Sequence, residues 1–175
     1  MPRTLVRSLP LGTKGGVALA VQGLATEELD QMGPIDTVVI AFPDGQPKGE
    51  AAPLLLDLVD RGIIRILDLM FVRKDADGSV SGLEISNLDK EGADALVVFA
   101  GAASGILGDE DRQEAGNLLD PGSAAAVIVY ENRWAAPFAR AMRKAGGQLV
   151  AFERIPVQAV LAALDATEES TKGED

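Results

Sequence analysis

A polar stretch beginning at Arg73, RKDADGSVSGLE, is close in pattern to a calcium-binding EF-hand loop. Asp75, Asp77, Gly78 and Glu84 stand at the third, fifth, sixth and twelfth places, where such a loop has ligands and its turn glycine. The first place needs an anionic ligand, and here it holds the cation Arg73. The loop therefore lacks one ligand that calcium requires.

The flanking residues indicate a different structure for this loop. An EF-hand has a helix on each side, whereas IRILDLMFV and VSGLEISNL are typical of strands. Asp77-Gly78 between two such runs predicts a β-hairpin turn, because glycine tolerates positive φ. We expect a hairpin tip at which Asp75 and Glu84 do not converge. A surface loop that contacts a partner is the remaining alternative.

Other carboxylates could do acid–base work or bind a hard metal ion. Asp68 lies inside the apolar run IIRILDLMFV and should be half-buried. If Asp68 has only a structural role, its side chain forms an ion pair with Arg65 or Arg154, or is exposed to solvent at a sheet edge. A Mg-dependent carboxylate enzyme would instead need at least three such side chains in one cleft. The other candidates lie near strand ends: Asp36, Glu131 and Glu153.

A glycine-rich run, AGAASGILG, follows the apolar residues VVF and ends at Gly108. Its spacing is neither that of a dinucleotide-binding loop nor that of a Walker loop, and Asp109 with the acids after it would repel a phosphate. We expect Gly101, Gly105 and Gly108 to allow close packing between helices or between subunits. Further along the chain, Trp134 is either a core residue or an anchor at an interface.

The composition excludes several chemistries. The chain has no Cys and no His, so thiolate nucleophiles, Cys/His zinc sites and Ser-His-Asp catalysis are impossible. Its formal net charge of −11 repels nucleic acid and anionic lipid. We expect a cytoplasmic protein with no cofactor and no metal, which binds neither nucleic acid nor membrane. The sequence does not identify a small-molecule ligand.

Three regions of the chain differ in character. Residues 1–34 are an N-terminal extension or arm, broken by Pro and Gly before an apolar run develops, so no signal peptide is expected. A basic arm on an acidic body could dock on a neighbouring subunit; the simpler interpretation is a mobile tail or an extra edge strand. Residues 35–165 form a single domain, and residues 166–175 an acidic disordered tail. The basic residues of the arm are Arg3, Arg7 and Lys14.

Hydrophobic periodicity predicts the secondary structure of the domain. IDTVVIAF, IIRILDLMFV, LEISNL, AAAVIVYE and QLVAFERI have the composition of strands. Four helices are predicted. The first ends at a C-terminal cap at Gly62, the second begins near Asp109, the third follows an apolar stripe from Trp134, and the last begins at Pro156. Two βαβ units that flank a hairpin favour a ferredoxin-like α+β sandwich, βαβ-β-(α)-βαβ with a C-terminal helix.

Three blocks in order carry a resemblance to a known family. They are GPIDTVVIAFP, then GEAAPLLLDLVDRGIIRILDLMFVRKDADGSVSGLEISNLD, then LLDPGSAAAVIVYENRWAAPFARAMRKAGGQLVAFERIP. Together they resemble the bacterial, mostly actinobacterial, family called domain of unknown function 6325, over about Met32 to Ala163. Wider relatives of that family carry a glycine-rich segment at the position of Ala100 to Gly108. The resemblance implies one globular cytoplasmic domain and no known activity or site residue.

The first functional hypothesis is a non-enzymatic, self-associating protein with a structural or stress-related role. It rests on the absence of His and Cys, the small-residue run that ends at Gly108, and the basic arm. We expect a homo-oligomer formed through the arm, the glycine run and Trp134. The alternative is a small-molecule-sensing regulatory module, by analogy with other ferredoxin-like domains. A carboxylate-based, Mg-dependent enzyme is the third hypothesis.

Overall fold

The computed structural model describes residues 31–47, 49–84 and 105–148, together with residues 150, 157 and 161. The described residues up to Ala141 belong to one compact unit, and those from Met142 onward to a second. The helices and strands, in chain order, are β1 (Ile35–Phe42), α1 (Ala52–Asp60), β2 (Ile64–Lys74), β3 (Val80–Leu83), α2 (Asp109–Asn117), β4 (Ala124–Asn132) and α3 (Ala136–Lys144).

The four strands form one antiparallel sheet in the order β1-β4-β2-β3. Because β1 and β2 both run antiparallel to β4, they are parallel to each other, and α1 lies between them in the chain. The central position of β4 makes this a split βαβ unit. Among the described strands, β1 and β3 form the two edges of the sheet.

The two faces of the sheet carry separate cores. On one face, Ile66, Phe71 and Ile128 pack with the apolar residues of α1. On the other face, Val72 and Val127 pack against Ala115 and Leu119 at and just after the end of α2. The central strands β2 and β4 are therefore covered on both sides. This agrees with the apolar residues predicted for both faces of IIRILDLMFV.

The α+β class is confirmed, but the ferredoxin-like topology is not. A ferredoxin-like sheet has its first and third strands at the centre and both helices on one face. Here β4 and β2 are central, and α1 and α2 pack on opposite faces. The physical reason lies in β4, AAAVIVYEN, which is buried along nearly its whole length. Only a central strand with both faces covered can bury such a sequence.

Most of the predicted elements have the predicted positions. The β1 strand, α1 with Gly62 at φ +66°, the start of α2 at Asp109, and β4 are all found. Strand β3, Val80–Leu83, includes the first residue of the predicted strand LEISNL, and the last four residues of that prediction lie outside the described residues. The predicted strand QLVAFERI and the last helix fall mostly outside the described residues. Val157 and Leu161, two described residues of the predicted last helix, are helical.

The start of α2 and its packing depend on two close contacts. The carboxylate of Asp111 accepts the backbone N–H of Gly108 at 2.8 Å, which satisfies a donor that the first turn leaves open. Further along the helix, Gly116 faces Val80 of β3. A Cβ atom at position 116 would lie 2.5 Å from a methyl carbon of Val80. The helix therefore reaches the sheet because residue 116 has no side chain.

Substituting Gly116→Ala should destabilise the protein by about 1–3 kcal/mol through this overlap. In a helix without the overlap, the same change would stabilise by roughly 1 kcal/mol. Urea unfolding measures the difference, with Gln113→Ala on the exposed side of α2 as the control. In the double variant with Val80→Ala the effect of Gly116→Ala should shrink markedly. Equal effects in both backgrounds would contradict the contact.

Candidate functional site

The EF-hand-like stretch forms a hairpin tip. Gly78 has φ +87°, and the backbone N–H of Asp75 donates to the carbonyl of Ser79 at 2.9 Å. The carboxylate of Asp77 accepts the Ser79 hydroxyl at 2.6 Å and the Ser79 backbone N–H at 2.9 Å. These bonds hold the pKa of Asp77 below its usual value, the hydroxyl contributing most. The predicted hairpin turn is confirmed.

Asp75 and Glu84 do not converge on one point. The register pairs Phe71 of β2 with Leu83 of β3, and Phe71 lies four residues before Asp75. Glu84 is one residue further from the turn than Leu83, so five residues at the rise of a β-strand separate the two acids by about 17 Å along the hairpin. Arg73 at the first place of the loop donates instead to the carbonyl of Gly45 at 3.2 Å. The stretch is thus a structural hairpin, as the flanking strands predict.

Asp68 is a buried structural acceptor. It lies at a bulge in β2 that follows Ile66, and its side chain is on the α2 face of the sheet. Its two oxygens accept the backbone N–H groups of Leu69 and Leu107, each at 2.9 Å. The predicted ion pair with Arg65 is wrong, and Arg154 lies outside the described residues. The bulge turns Asp68 toward the segment that enters α2, whose open N–H groups need acceptors.

The partner of Arg65 is Glu131. The two side chains form an ion pair at 2.9 Å across β2 and β4, with Glu131 buried and Arg65 half exposed. The second oxygen of Glu131 accepts the backbone N–H of Gly33 at 2.8 Å. Asp36 accepts the side-chain amide of Asn132 at 3.0 Å. The carboxylates predicted at strand ends are therefore engaged in holding the sheet, and Glu153 lies outside the described residues.

In the part of the chain that the structure describes, no three acidic side chains form a group that could hold a metal ion. The convergence that the carboxylate-enzyme hypothesis requires is therefore not found there. Asp68 and Glu131, its two buried acids on strands, instead accept backbone N–H groups from different segments.

A shallow polar cleft lies between the loop after β1 and the hairpin. Its volume is about 220 Å³. Both of its cations already have backbone partners, because Arg73 donates to the Gly45 carbonyl and Lys74 to the Leu119 carbonyl at 2.9 Å. These bonds hold the cleft's own walls together and engage both of its cations. The lining residues are Asp44, Gly45, Gln46, Arg73, Lys74, Asp75, Ala76 and Gly122.

Two exposed aromatic side chains lie on the turn that follows β4 and on α3. Trp134 is 69% exposed and Phe138, four residues later, is 71% exposed. The residues that face the body are instead Ala135 and Ala136, both buried. The Trp134 backbone N–H donates to the Ile63 carbonyl at 3.2 Å, which fixes the turn against the end of α1.

Trp134 is therefore not a core residue, and of its two predicted roles only the interface anchor agrees with its exposure. Its ring N–H donates to the Asn132 side chain at 3.2 Å. Arg133 precedes Trp134 in the turn and is exposed, whereas Arg140 lies on the same side of α3 as the buried Ala136 and donates to Gln31. We call Trp134 and Phe138 the α3 patch.

Two other predicted association residues, Gly105 and Gly108, are not part of this patch. Gly105, at φ +76°, and Gly108 lie in the segment that Asp68 holds at the entrance to α2. A residue that the sequence analysis missed is Leu54 of α1, which is 70% exposed. Leu54 lies one turn before Leu58, at the border of the side of α1 that packs on the sheet, so helical spacing alone does not mark it as exposed. The predicted residues that lie outside the described part are Arg3, Arg7, Lys14 and Gly101.

A comparison with protein families finds a match to a family of unknown function, DUF6325, over residues 31–171. The chain belongs to DUF6325. Searches of curated proteins and of solved structures each returned no match. The DUF6325 match begins with Gln31 and includes both cores, the hairpin and the α3 patch. None of the helices in the described part of this DUF6325 chain is long and apolar enough to cross a membrane.

Removing the Ser79 hydroxyl should raise the pKa of Asp77 toward its usual value. The pKa of Asp77 is lower in the folded state than in the unfolded state. The Asp77 bonds therefore stabilise the turn at any pH above the unfolded-state pKa, and this stabilisation is lost as the pH falls through the folded-state pKa. An NMR titration of Ser79→Ala measures the change, with Ser81→Ala as the control that leaves Asp77 alone. A wild-type Asp77 that titrates at its usual value would contradict these bonds.

Substituting Asp68→Asn should cost about 1–3 kcal/mol, because one of two buried N–H groups loses its charged acceptor. The matched control is Asp57→Asn. Asp57 forms an exposed ion pair with Arg61 at 3.0 Å, and its loss should cost less than about 1 kcal/mol. Urea unfolding gives both values, and hydrogen exchange at the Leu107 amide shows whether that segment loosens. Equal destabilisation by the two substitutions would show that Asp68 has no special role.

Proposed function

We propose that this chain is a non-enzymatic cytoplasmic protein that self-associates, with a structural or stress-related role, and that the α3 patch anchors the association. The observation that carries the proposal is the exposure of Trp134 and Phe138 on neighbouring turns. Large aromatic side chains held together at a surface are the usual anchors of protein interfaces. The family match assigns no activity that would compete with this role.

The energetics of the pair support association. Burial of an aromatic side chain of this size is worth about 1.5–3 kcal/mol relative to leaving it in water. Trp134 and Phe138 also lose little conformational entropy on binding, since each side chain has only two rotatable bonds. The alanines beneath them are already buried, so the aromatic rings are supported in place before a partner arrives. A preformed surface of this kind avoids part of the ordering cost of binding.

The charge of the chain opposes association and sets what the apolar contact must supply. The chain as a whole has a net charge of −11, so two copies repel each other overall, and the burial of the two aromatic side chains has to exceed that repulsion. The sequence-based contributions of the basic arm and of Gly101, Gly105 and Gly108 remain parts of the proposal.

The double variant Trp134→Ala/Phe138→Ala should weaken association by at least about tenfold in dissociation constant. Sedimentation equilibrium of the full chain measures the mass over a range of concentrations. The matched control is Leu118→Ala, which shortens an exposed apolar side chain outside the α3 patch. A separate variant in which Arg3, Arg7 and Lys14 are all changed to Gln tests the arm.

Two results would contradict the proposal. A wild-type chain that is monomeric at every concentration would remove self-association altogether. A wild-type oligomer that survives the double aromatic substitution unchanged would remove the α3 patch as its anchor. If only the triple arm variant dissociates, the arm carries the association instead.

A further inference from the structure

The chain enters the described part of the fold beside α3. The backbone N–H of Gly33 donates to the Glu131 carboxylate at 2.8 Å. The carbonyl of Pro34 accepts the backbone N–H of Asn132, also at 2.8 Å. A Cβ atom at position 33 would lie 3.3 Å from the backbone nitrogen of Ala136. The entering chain therefore packs closely on the turn between β4 and α3.

The side chain of Asn132 connects this entry to the α3 patch. Its amide nitrogen donates to the Pro34 carbonyl at 3.2 Å, and its oxygen accepts the ring N–H of Trp134 at 3.2 Å. Three residues before Pro34, the side chain of Gln31 accepts a hydrogen bond from Arg140 of α3 at 2.6 Å. The residues that precede Gln31 therefore begin beside the helix that carries the two exposed aromatic rings.

The arm that precedes Gln31 contains an uncharged, mainly apolar run. This run is VALAVQGLA, residues 17–25, and we call it the arm segment. Its nearer end lies six residues before Gln31, and six residues of chain span at most about 20 Å. An α-helix with its side chains is only about 10–12 Å across. The arm segment is therefore long enough to reach the outer side of α3 in its own chain.

We infer that the arm segment covers the α3 patch, with its aliphatic side chains against the rings of Trp134 and Phe138. Both surfaces are apolar, so the contact removes no charge from water. The DUF6325 match begins at Gln31, so the arm segment lies outside the matched domain. The patch is in this view the place where a segment particular to this chain binds to the family domain.

Tethering favours the arm segment over a free partner. A segment joined to its site by a short flexible connection has an effective concentration on the order of millimolar. A contact within one chain also avoids the repulsion between two copies that each carry a net charge of −11. The α3 patch of a second copy could cover the rings as well, but it would bring two acidic bodies together and leave the arm segment in water.

Self-association follows from the same contact when two copies exchange their arm segments. The α3 patch of each copy is then covered by the arm segment of the other, and residues 26–30 connect that segment to the domain. This intermolecular form rests on the proposed function. The contact between the arm segment and the α3 patch does not, so the two can be tested separately.

Trp134 is the only tryptophan of the chain, so its fluorescence reports on the α3 patch. One full-length variant replaces the four large aliphatic side chains of the arm segment without changing the net charge: Val17→Ser/Leu19→Ser/Val21→Ser/Leu24→Ser. In this variant the Trp134 emission should shift to longer wavelength, and its quenching by acrylamide should increase, because the ring becomes accessible to water. Circular dichroism checks that the domain remains folded.

The matched control replaces four aliphatic side chains that lie nearer the N-terminus, outside the arm segment: Leu5→Ser/Val6→Ser/Leu9→Ser/Leu11→Ser. It makes the same number of substitutions in the same arm and also keeps the net charge. Its Trp134 emission and quenching should equal those of the wild type.

A spin label separates contact within one chain from exchange between copies. The chain has no Cys, so Ala20→Cys attaches a single nitroxide to the arm segment. In an isotope-labelled chain that carries the nitroxide, the indole N–H signal of Trp134 should lose intensity, and reduction of the nitroxide should restore it. In a mixture of isotope-labelled wild type with nitroxide-carrying chain of natural isotopes, the signal is lost only through exchange.

The outcomes separate this inference from the proposed function. The inference is overturned if the nitroxide leaves the Trp134 signal unchanged, or if acrylamide quenches the wild type as readily as the serine variant of the arm segment. An oligomer that only Trp134→Ala/Phe138→Ala dissociates would then keep the proposed function, with the α3 patch of a second copy as the occupant. A Trp134 emission that shifts to shorter wavelength only with phosphatidylglycerol vesicles would also overturn the inference.

The opposite result is equally distinct. If the nitroxide removes the Trp134 signal within one chain and sedimentation shows a monomer at every concentration, the inference stands and the proposed self-association fails. If the mixed sample also loses the signal and the serine variant of the arm segment no longer associates, both stand, and the copies associate by exchange of their arm segments.

Discussion

The structure depends on the burial of β4 between β1 and β2. From Ala124 to Val129 this strand exposes almost nothing, and its small residues let the sheet be covered closely on both faces. Burial of a strand on both sides requires a neighbour at each edge and a layer above and below. The strand order, the opposite positions of α1 and α2, and the two separate cores all follow from this requirement.

The acidic residues in the body of the fold show how buried charge is accommodated. Asp68, Asp111 and Glu131 are buried, and each accepts at least one backbone N–H. In each case one donor belongs to irregular backbone, at the entrance to α2 or in the chain before β1. A carboxylate in this role ties irregular backbone to the sheet, because a buried N–H without an acceptor is costly.

The most exposed apolar side chains among the described residues up to Ala141 lie on helical segments whose inner sides are made of small or aliphatic residues. Ala135 and Ala136 pack inward and leave Trp134 and Phe138 in water, while the inner stripe of α1 leaves Leu54 outside. Because an acidic chain is repelled by its own copies, the exposed aromatic pair is the physical basis of the proposed association.

The sequence alone determined the features that depend on neighbouring residues. The turn at Asp77-Gly78, the end of α1 at Gly62, and the strands of alternating or continuous apolar residues all follow from backbone preferences and local periodicity. It also determined that cysteine and histidine chemistry is absent.

The tertiary structure decided the rest. The order of the strands, the acceptor role of Asp68, the pairing of Arg65 with Glu131 and the outward side of α3 depend on residues far apart in the chain. A helical stripe such as Trp134 and Phe138 shows that one side is apolar. Whether that side is buried depends on which other surface reaches it, and here the alanines make that contact.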